Sequence, residues 1–394
     1  MRSKDEWVFV PASSSSAPAS SGALGIQTKF LSTRIIPSVP GDMEKKEQRF
    51  KLQEKGKKYA PQEKGFFRFK RCWKQVIFGK EVELRKNAEG KVRIRGVEQC
   101  GDVWACPVCA PRIQYRRGQE IKQAVDKAYK EGLKVFMLTL THPHYKGQPL
   151  AELIKKHNSA REKFWGGRFM QDWKKEMGLR GSISASEVMG GGANGWHWHT
   201  HVIIFTKQEI STEEEYILKG RWANCLKRAG FEVRLEDVME HGLDLMRNCH
   251  ASDYLTKLGY GNWGIEREVQ GGASKAGADG SMTPFQLLEA DKIGLWQEYL
   301  IATKGKKQLF WSRGLKAWAG LTEKTDEELL EEVDEPDEGE LLAVVPKPVW
   351  YRICRDGRRV ELMKQAEAGT LREWAEKEKY IFYYPAPLSG QSAG

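Results

Sequence analysis

Residues 195–205 read Gly-Trp-His-Trp-His-Thr-His-Val-Ile-Ile-Phe, and three of the chain's eight histidines alternate within them. The apolar run 202–205 has the composition of a buried strand. Alternate residues of a strand face one side, so His197, His199 and His201 project together. Neutral imidazoles on one rigid edge form a seat for a divalent ion. An apolar core has no use for three adjacent imidazoles, which bury poorly without partners. The plainer alternative is a solvated hairpin edge.

A second group has softer donors. Cys100-x5-Cys106-Pro107-Val108-Cys109 holds three of the seven cysteines. No apolar signal core is expected at residues 1–10. An odd cysteine count without an export signal favours metal thiolates over disulfides.

The elements that must carry these groups follow from patterning. Strands are expected at 66–77, 92–97, 134–141, 181–188, 196–205 and 231–235. Helices are expected at 113–131 (basic and amphipathic), 150–177 with a break at Gly166-Gly167, 213–229 capped by Ser211 or Thr212, 252–259 and 285–303. The glycine-rich turn 190–195 makes 181–188 and 196–205 a hairpin. The order β-α-β-β-α-β implies an α+β fold with an antiparallel sheet. The tail 349–382 is expected to be a small hairpin at Asp356-Gly357 plus one helix.

The chain has 394 residues and a formal net charge of +11, with a pI near 9.1. That balance favours a polyanionic partner, nucleic acid before membrane surface. No apolar run is long enough to span a bilayer, and a cytoplasmic location is expected. Residues 11–24 are low in complexity, and disorder is expected to continue to about residue 65. The acidic stretch 323–340 resembles a linker.

Over residues 66–320 the chain resembles the rolling-circle replication initiators of bacterial plasmids and phages, within the HUH endonuclease superfamily. Cys72 and the Cys100, Cys106, Cys109 cluster, followed by Arg112, Arg116 and Arg117, match the pattern those proteins carry before the nuclease domain. The resemblance implies structural Zn²⁺ on the four cysteines and DNA contacts by the three arginines. Met137-Leu138-Thr139-Leu140-Thr141 is similar to the family's first strand motif. His199 and His201 match its metal pair, with Thr200 where a bulky apolar residue is usual. Glu187 matches the third ligand of a catalytic Mg²⁺ or Mn²⁺, and His197 precedes the pair as another histidine does in relatives. Ser252-Asp253-Tyr254-Leu255-Thr256-Lys257 resembles the Tyr-x-x-Lys nucleophile motif. On a helix Tyr254 and Lys257 share a face, whereas the rival Tyr260 falls on another. His250 stands four residues before the nucleophile, where Gram-positive relatives place a Glu that serves the closing step. Thr283–Leu288 and Phe310–Lys316 are similar to segments that follow the catalytic helix. No Gly-x4-Gly-Lys-Ser/Thr phosphate loop occurs, so a built-in helicase is not expected.

The resemblance implies an α+β, antiparallel-sheet HUH (palm or ferredoxin-like) nuclease domain, an N-terminal zinc-binding module and a mostly helical C-terminal extension. The boundaries expected are 1–65 disordered and basic, 66–131 zinc module and basic helix, 132–262 nuclease domain, 263–321 loop and helical extension, 322–345 acidic linker and 346–394 small C-terminal module. The implied activity is nicking and strand transfer on single-stranded or hairpin origin DNA through a 5′-phosphotyrosine, with host helicase and polymerase as partners. A single-strand DNA transposase of the same superfamily, or a non-catalytic zinc-containing DNA-binding protein, are the other readings. Conjugative relaxases fit less well, because their nucleophile precedes the histidines.

Overall fold

The computed structural model describes residues 42–62, 64–88, 90–247, 280–334 and 339–385. His250, Tyr254, Lys257 and Tyr260, with the helix expected at 252–259, lie outside the described residues, as do residues 1–41.

A five-stranded sheet runs β6-β3-β5-β4-β7, built from β3 Lys134–Leu140, β4 Gly181–Gly192, β5 Gly195–Thr206, β6 Leu243–Met246 and β7 Leu309–Trp311. Its pairings are all antiparallel. Alternation divides each strand between two cores. Phe136, Leu138, Leu140, Val202 and Ile204 face the helices Leu150–Trp165 and Thr212–Arg228, meeting Leu153, Ile154, Phe164 and Trp222. Val135, Met137, Ile183, Ala185, Ile203 and Phe205 face the helix Cys109–Lys130 through its Ile121, Ala124, Val125 and Ala128. The imidazole end of β5 extends beyond this second core. Thr212–Arg228 begins at a reciprocal capping box between Ser211 and Glu214, which satisfies two otherwise orphaned N–H groups.

A second sheet, β2-β1-β8, joins β1 Val82–Lys86 and β2 Val92–Arg95 to β8 Glu340–Val345. The expected linker at 322–345 is therefore corrected. Asp326–Asp334 is a helix and β8 pairs with β1. Asp42–Tyr59 is a helix, where disorder was expected up to residue 65. Its polar sequence is held by distant partners: Glu54 Oε1 lies 2.6 Å from Arg359 Nη2, and Glu47 lies 3.3 Å from Lys364 Nζ.

The strand expected at 66–77 is instead a 3-10 turn, Lys64–Phe66, and a short helix, Phe67–Arg71. Phe66 and Phe69 are both buried at helical spacing while Phe67 is exposed. No strand forms at 231–235. Phe231 packs its ring on His142 at 4.6 Å, and a helix follows at Leu235–His241. The helix expected at 285–303 breaks into Pro284–Glu289 and Ile293–Thr303, with Asp291 at φ +56° between them. The tail holds three helices, Lys347–Arg355, Arg359–Ala368 and Leu371–Lys377. Asp356-Gly357 separates the first two rather than closing a hairpin. Among the described residues no helix is long and apolar enough to cross a membrane.

Candidate metal centres and nucleic-acid interface

The β4–β5 hairpin sets the first centre. Its register places Glu187 opposite His199 and Ala185 opposite His201. Directly opposed residues share a face, so the carboxylate stands beside both imidazoles. Glu187 Oε2 lies 3.3 Å from His199 Nε2 and 3.8 Å from His201 Nε2. One donor atom from each residue falls within 4.8 Å of the others.

Burial pushes the Glu187 carboxyl up, but hydrogen bonds from His199 and His201 outweigh it and hold it well below the usual carboxylate range. Burial pushes His199 down. At neutral pH the pair is therefore a carboxylate and a neutral imidazole, the donor states a cation requires. Glu187 Oε1 and His199 Nδ1 are buried without a hydrogen-bond partner. Buried donors and acceptors are rarely left so. The residues present fit a divalent ion.

Thr139 on β3 faces His201 from the other side, Oγ1 to Nδ1 at 3.0 Å. With an ion bound, the threonine oxygen would accept from Nδ1–H and leave the Nε2 lone pair to the metal, in place of the bond that Nε2 gives Glu187. Sequence reasoning missed this role; the signal was a hydroxyl at an alternate position of an otherwise apolar strand. His197 sits one step out, its ring 4.8 Å from that of His199 and 4.6 Å from that of His144. It is not among the clustered donors.

Behind the hairpin, on the opposite face, runs a second feature that sequence reasoning missed. His142 Nδ1 meets His157 Nδ1 at 3.0 Å, and His157 Nε2 meets Thr200 Oγ1 at 3.0 Å. Thr200 also lies 3.4 Å from Ser186 Oγ. The hydroxyl at position 200, departing from the family's apolar residue, is thus the partner of a buried histidine.

The second centre gathers all four expected cysteines. Cys72, Cys100, Cys106 and Cys109 are buried and free. Their sulfurs stand 3.8 Å (Cys72 to Cys106), 3.5 Å (Cys72 to Cys109) and 3.8 Å (Cys100 to Cys109) apart. A tetrahedron with sulfur about 2.3 Å from its centre has edges of about 3.8 Å, whereas a disulfide is far shorter. Burial pushes the Cys72 and Cys100 thiols well up. It would do the same to Cys106, but hydrogen bonds from the other three sulfurs bring that thiol down. Gln53 Nε2 and the backbone N–H groups of Cys100, Asp102 and Cys109 donate to the sulfurs. The set fits one tetrahedral cation.

The arginines diverge. Arg112 bonds Gln99 and lies over the Trp73 ring at 5.9 Å. Arg116 lines a surface groove with Lys122, Lys127, Lys130 and Lys324. Arg117 turns inward, 2.9 Å from Glu120 and 3.0 Å from Asp326, with its side chain 13% exposed.

Residues 91–233 match the model of a family described as a replication protein. That span holds three of the four clustered cysteines together with Glu187, His197, His199 and His201. Protein rep of Streptomyces lividans is 27% identical over 363 residues, which cover 73% of this chain and 79% of that protein. Protein rep of Lentilactobacillus hilgardii is 24% identical over 164 residues, 41% of this chain and 50% of that protein. A neomycin resistance protein of Streptomyces cyanogenus is 27% identical over 147 residues, 31% of this chain and 34% of that protein. No solved structure matches. The match over residues 91–233, the two rep relatives and the cysteine cluster together support a replication protein of the plasmid rolling-circle initiator class.

Proposed function

We propose that the chain nicks and rejoins single-stranded or hairpin origin DNA through a tyrosine nucleophile, and that this starts rolling-circle replication. The observation that carries the reading is the Glu187, His199 and His201 donor set, held on one sheet face with unspent lone pairs. These residues would hold Mg²⁺ or Mn²⁺, which when bound polarises the scissile phosphate. Glu187 balances the ion's charge, Thr139 fixes the His201 tautomer, and His197 steadies the His199 ring from the rim.

Tyr254 is assigned as nucleophile. Its oxygen bonds to phosphorus as the bond to the 3′-oxygen breaks, leaving a 5′-phosphotyrosine and a free 3′-hydroxyl. Lys257, three residues on, favours the phenolate by its charge. His250 accepts the proton in the closing transfer. A host polymerase extends the 3′-hydroxyl behind a host helicase. The Cys72, Cys100, Cys106 and Cys109 set takes Zn²⁺, which suits thiolates, and keeps the region 66–131 folded beside a nuclease region at 132–262. Arg112 and Arg116 contact phosphates. Arg117 secures the helix that presents them through Glu120 and Asp326. The protein acts in the cytoplasm, with plasmid DNA.

Covalent labelling of a single-stranded origin oligonucleotide tests this. Tyr254→Phe should abolish the protein–DNA adduct and leave the thermal melt unchanged. An adduct that survives Tyr254→Phe and vanishes in Tyr260→Phe would overturn the assignment.

A further inference from the structure

The loop after β3 crosses the rim of the Glu187, His199 and His201 site, and it is fixed at several points. His144 lays its ring against His197, with centroids 4.6 Å apart and planes at 32°. Its Nδ1 sits 3.1 Å from the His142 carbonyl oxygen. Gln148 closes the loop: its Oε1 accepts from the Tyr145 backbone N–H at 2.7 Å. The loop backbone also lies against the tip of the β4–β5 hairpin. A Cβ on Gly195 would come within 3.0 Å of Lys146 Cα and the Tyr145 carbonyl oxygen, and Gly195 has φ +79°.

Two side chains on this fixed backbone are unspent. Tyr145 is 58% exposed, and Lys146 is exposed. Among the described residues neither side chain makes an ion pair, a ring contact or a hydrogen bond. An exposed tyrosine alone needs no explanation. One beside a free ammonium, on a loop fastened to the rim of a metal-binding cluster, is a different matter. A ring offers a stacking face that any unpaired base can use, and an ammonium offers a phosphate its counter-charge. Because the backbone is already ordered, little further entropy is lost on contact.

We propose that Tyr145 and Lys146 form a nucleobase-and-phosphate subsite for single-stranded DNA. Tyr145 stacks on a base next to the phosphodiester held at Glu187, His199 and His201, and Lys146 pairs with a neighbouring phosphate. The inference rests on the proposed single-strand DNA reading. It adds a reason for strand choice: a base inside a duplex has no free face for Tyr145, so the DNA must be unpaired at that position.

The test uses the full chain without Mg²⁺ or Mn²⁺, so that binding is read apart from cleavage. The probe is a fluorescein-labelled oligodeoxythymidylate carrying 5-iodouracil for photo-crosslinking. Tyr145→Ala should weaken binding about ten-fold, and Tyr145→Phe should restore it because the ring does the stacking. Lys146→Ala should lower the slope of log affinity against log salt by about 0.7. The crosslinked peptide should contain Tyr145. Wild-type affinity in Tyr145→Ala, or equal losses in the Ala and Phe variants, would overturn the subsite. No binding by the wild-type chain would overturn both the subsite and the DNA reading. Tyr145-dependent binding by a chain that never cleaves with Mn²⁺ added would overturn the nicking reading alone.

Discussion

The two donor clusters are built to opposite plans. Four cysteines converge from separate segments onto one point, all 5% exposed or less. Glu187, His199 and His201 come from a single hairpin and retain side-chain exposures of 15%, 12% and 9%. Four soft donors saturate a tetrahedral ion and leave nothing for chemistry. Three harder donors on one face leave positions for water and a phosphate oxygen. One cluster ties distant chain together, the other would on the proposed reading offer coordination sites to a substrate, and substitutions should separate those roles.

The largest effect is expected at the closed cluster. Cys106→Ser removes the sulfur that accepts from Gln53 and Cys109. It should lower stability by about 5 kcal/mol or more, because metal binding at such a site is folding energy. Thermal denaturation and elemental analysis for zinc check this; a well-folded, zinc-free wild-type protein would collapse the contrast. At the open cluster, Glu187→Gln keeps the shape and removes the charge. Nicking with Mn²⁺ should fall about 100-fold or more, while the melting temperature should change little. Loss of fold in Glu187→Gln would mean that both clusters are structural.

The open cluster was the more legible in sequence because its geometry is local. Alternation alone puts His197, His199 and His201 on one face, and a glycine turn brings Glu187 beside His199. The capping box at Ser211 is local in the same sense. What escaped depends on distant residues. Asp42–Tyr59 has no apolar stripe, and its fold rests on Glu54 meeting Arg359, itself 1% exposed and bonded to the Trp73 carbonyl oxygen. β8 lies in an acidic stretch that resembles a linker until β1 supplies its partner. His142 and His157 had no pattern of their own, because a buried polar chain shows itself only once the strands and helices are packed.

That chain supplies a smaller and sharper test of the open cluster's support. Thr200→Val keeps the shape and removes the hydroxyl that His157 Nε2 and Ser186 share. Leaving a buried imidazole nitrogen without its partner costs about 2 kcal/mol. The loss should appear as a lower melting temperature, with zinc content unchanged. An unaltered melt would mean that the strand needs no polar support.

Acidification should act gradually rather than as a single step, and its sign follows from the same histidines. Burial holds His142 down at about 3 and pushes His157 well below its ordinary 6.5. Both are neutral in the folded protein at pH values where they are protonated once unfolded. The unfolded state therefore binds more protons, and stability rises with pH through this window. No penalty applies above about pH 6.5. Below it each histidine should cost up to about 1.4 kcal/mol per pH unit, levelling off for His142 near its folded value of about 3. The cysteine cluster has no histidine among its ligands, so the loss belongs to the sheet side of the molecule. Melting temperatures measured from pH 7.5 down to pH 5 in His157→Phe should fall less steeply than in the wild type. Parallel slopes in the two proteins would show that the buried imidazoles are not what makes the sheet acid-sensitive.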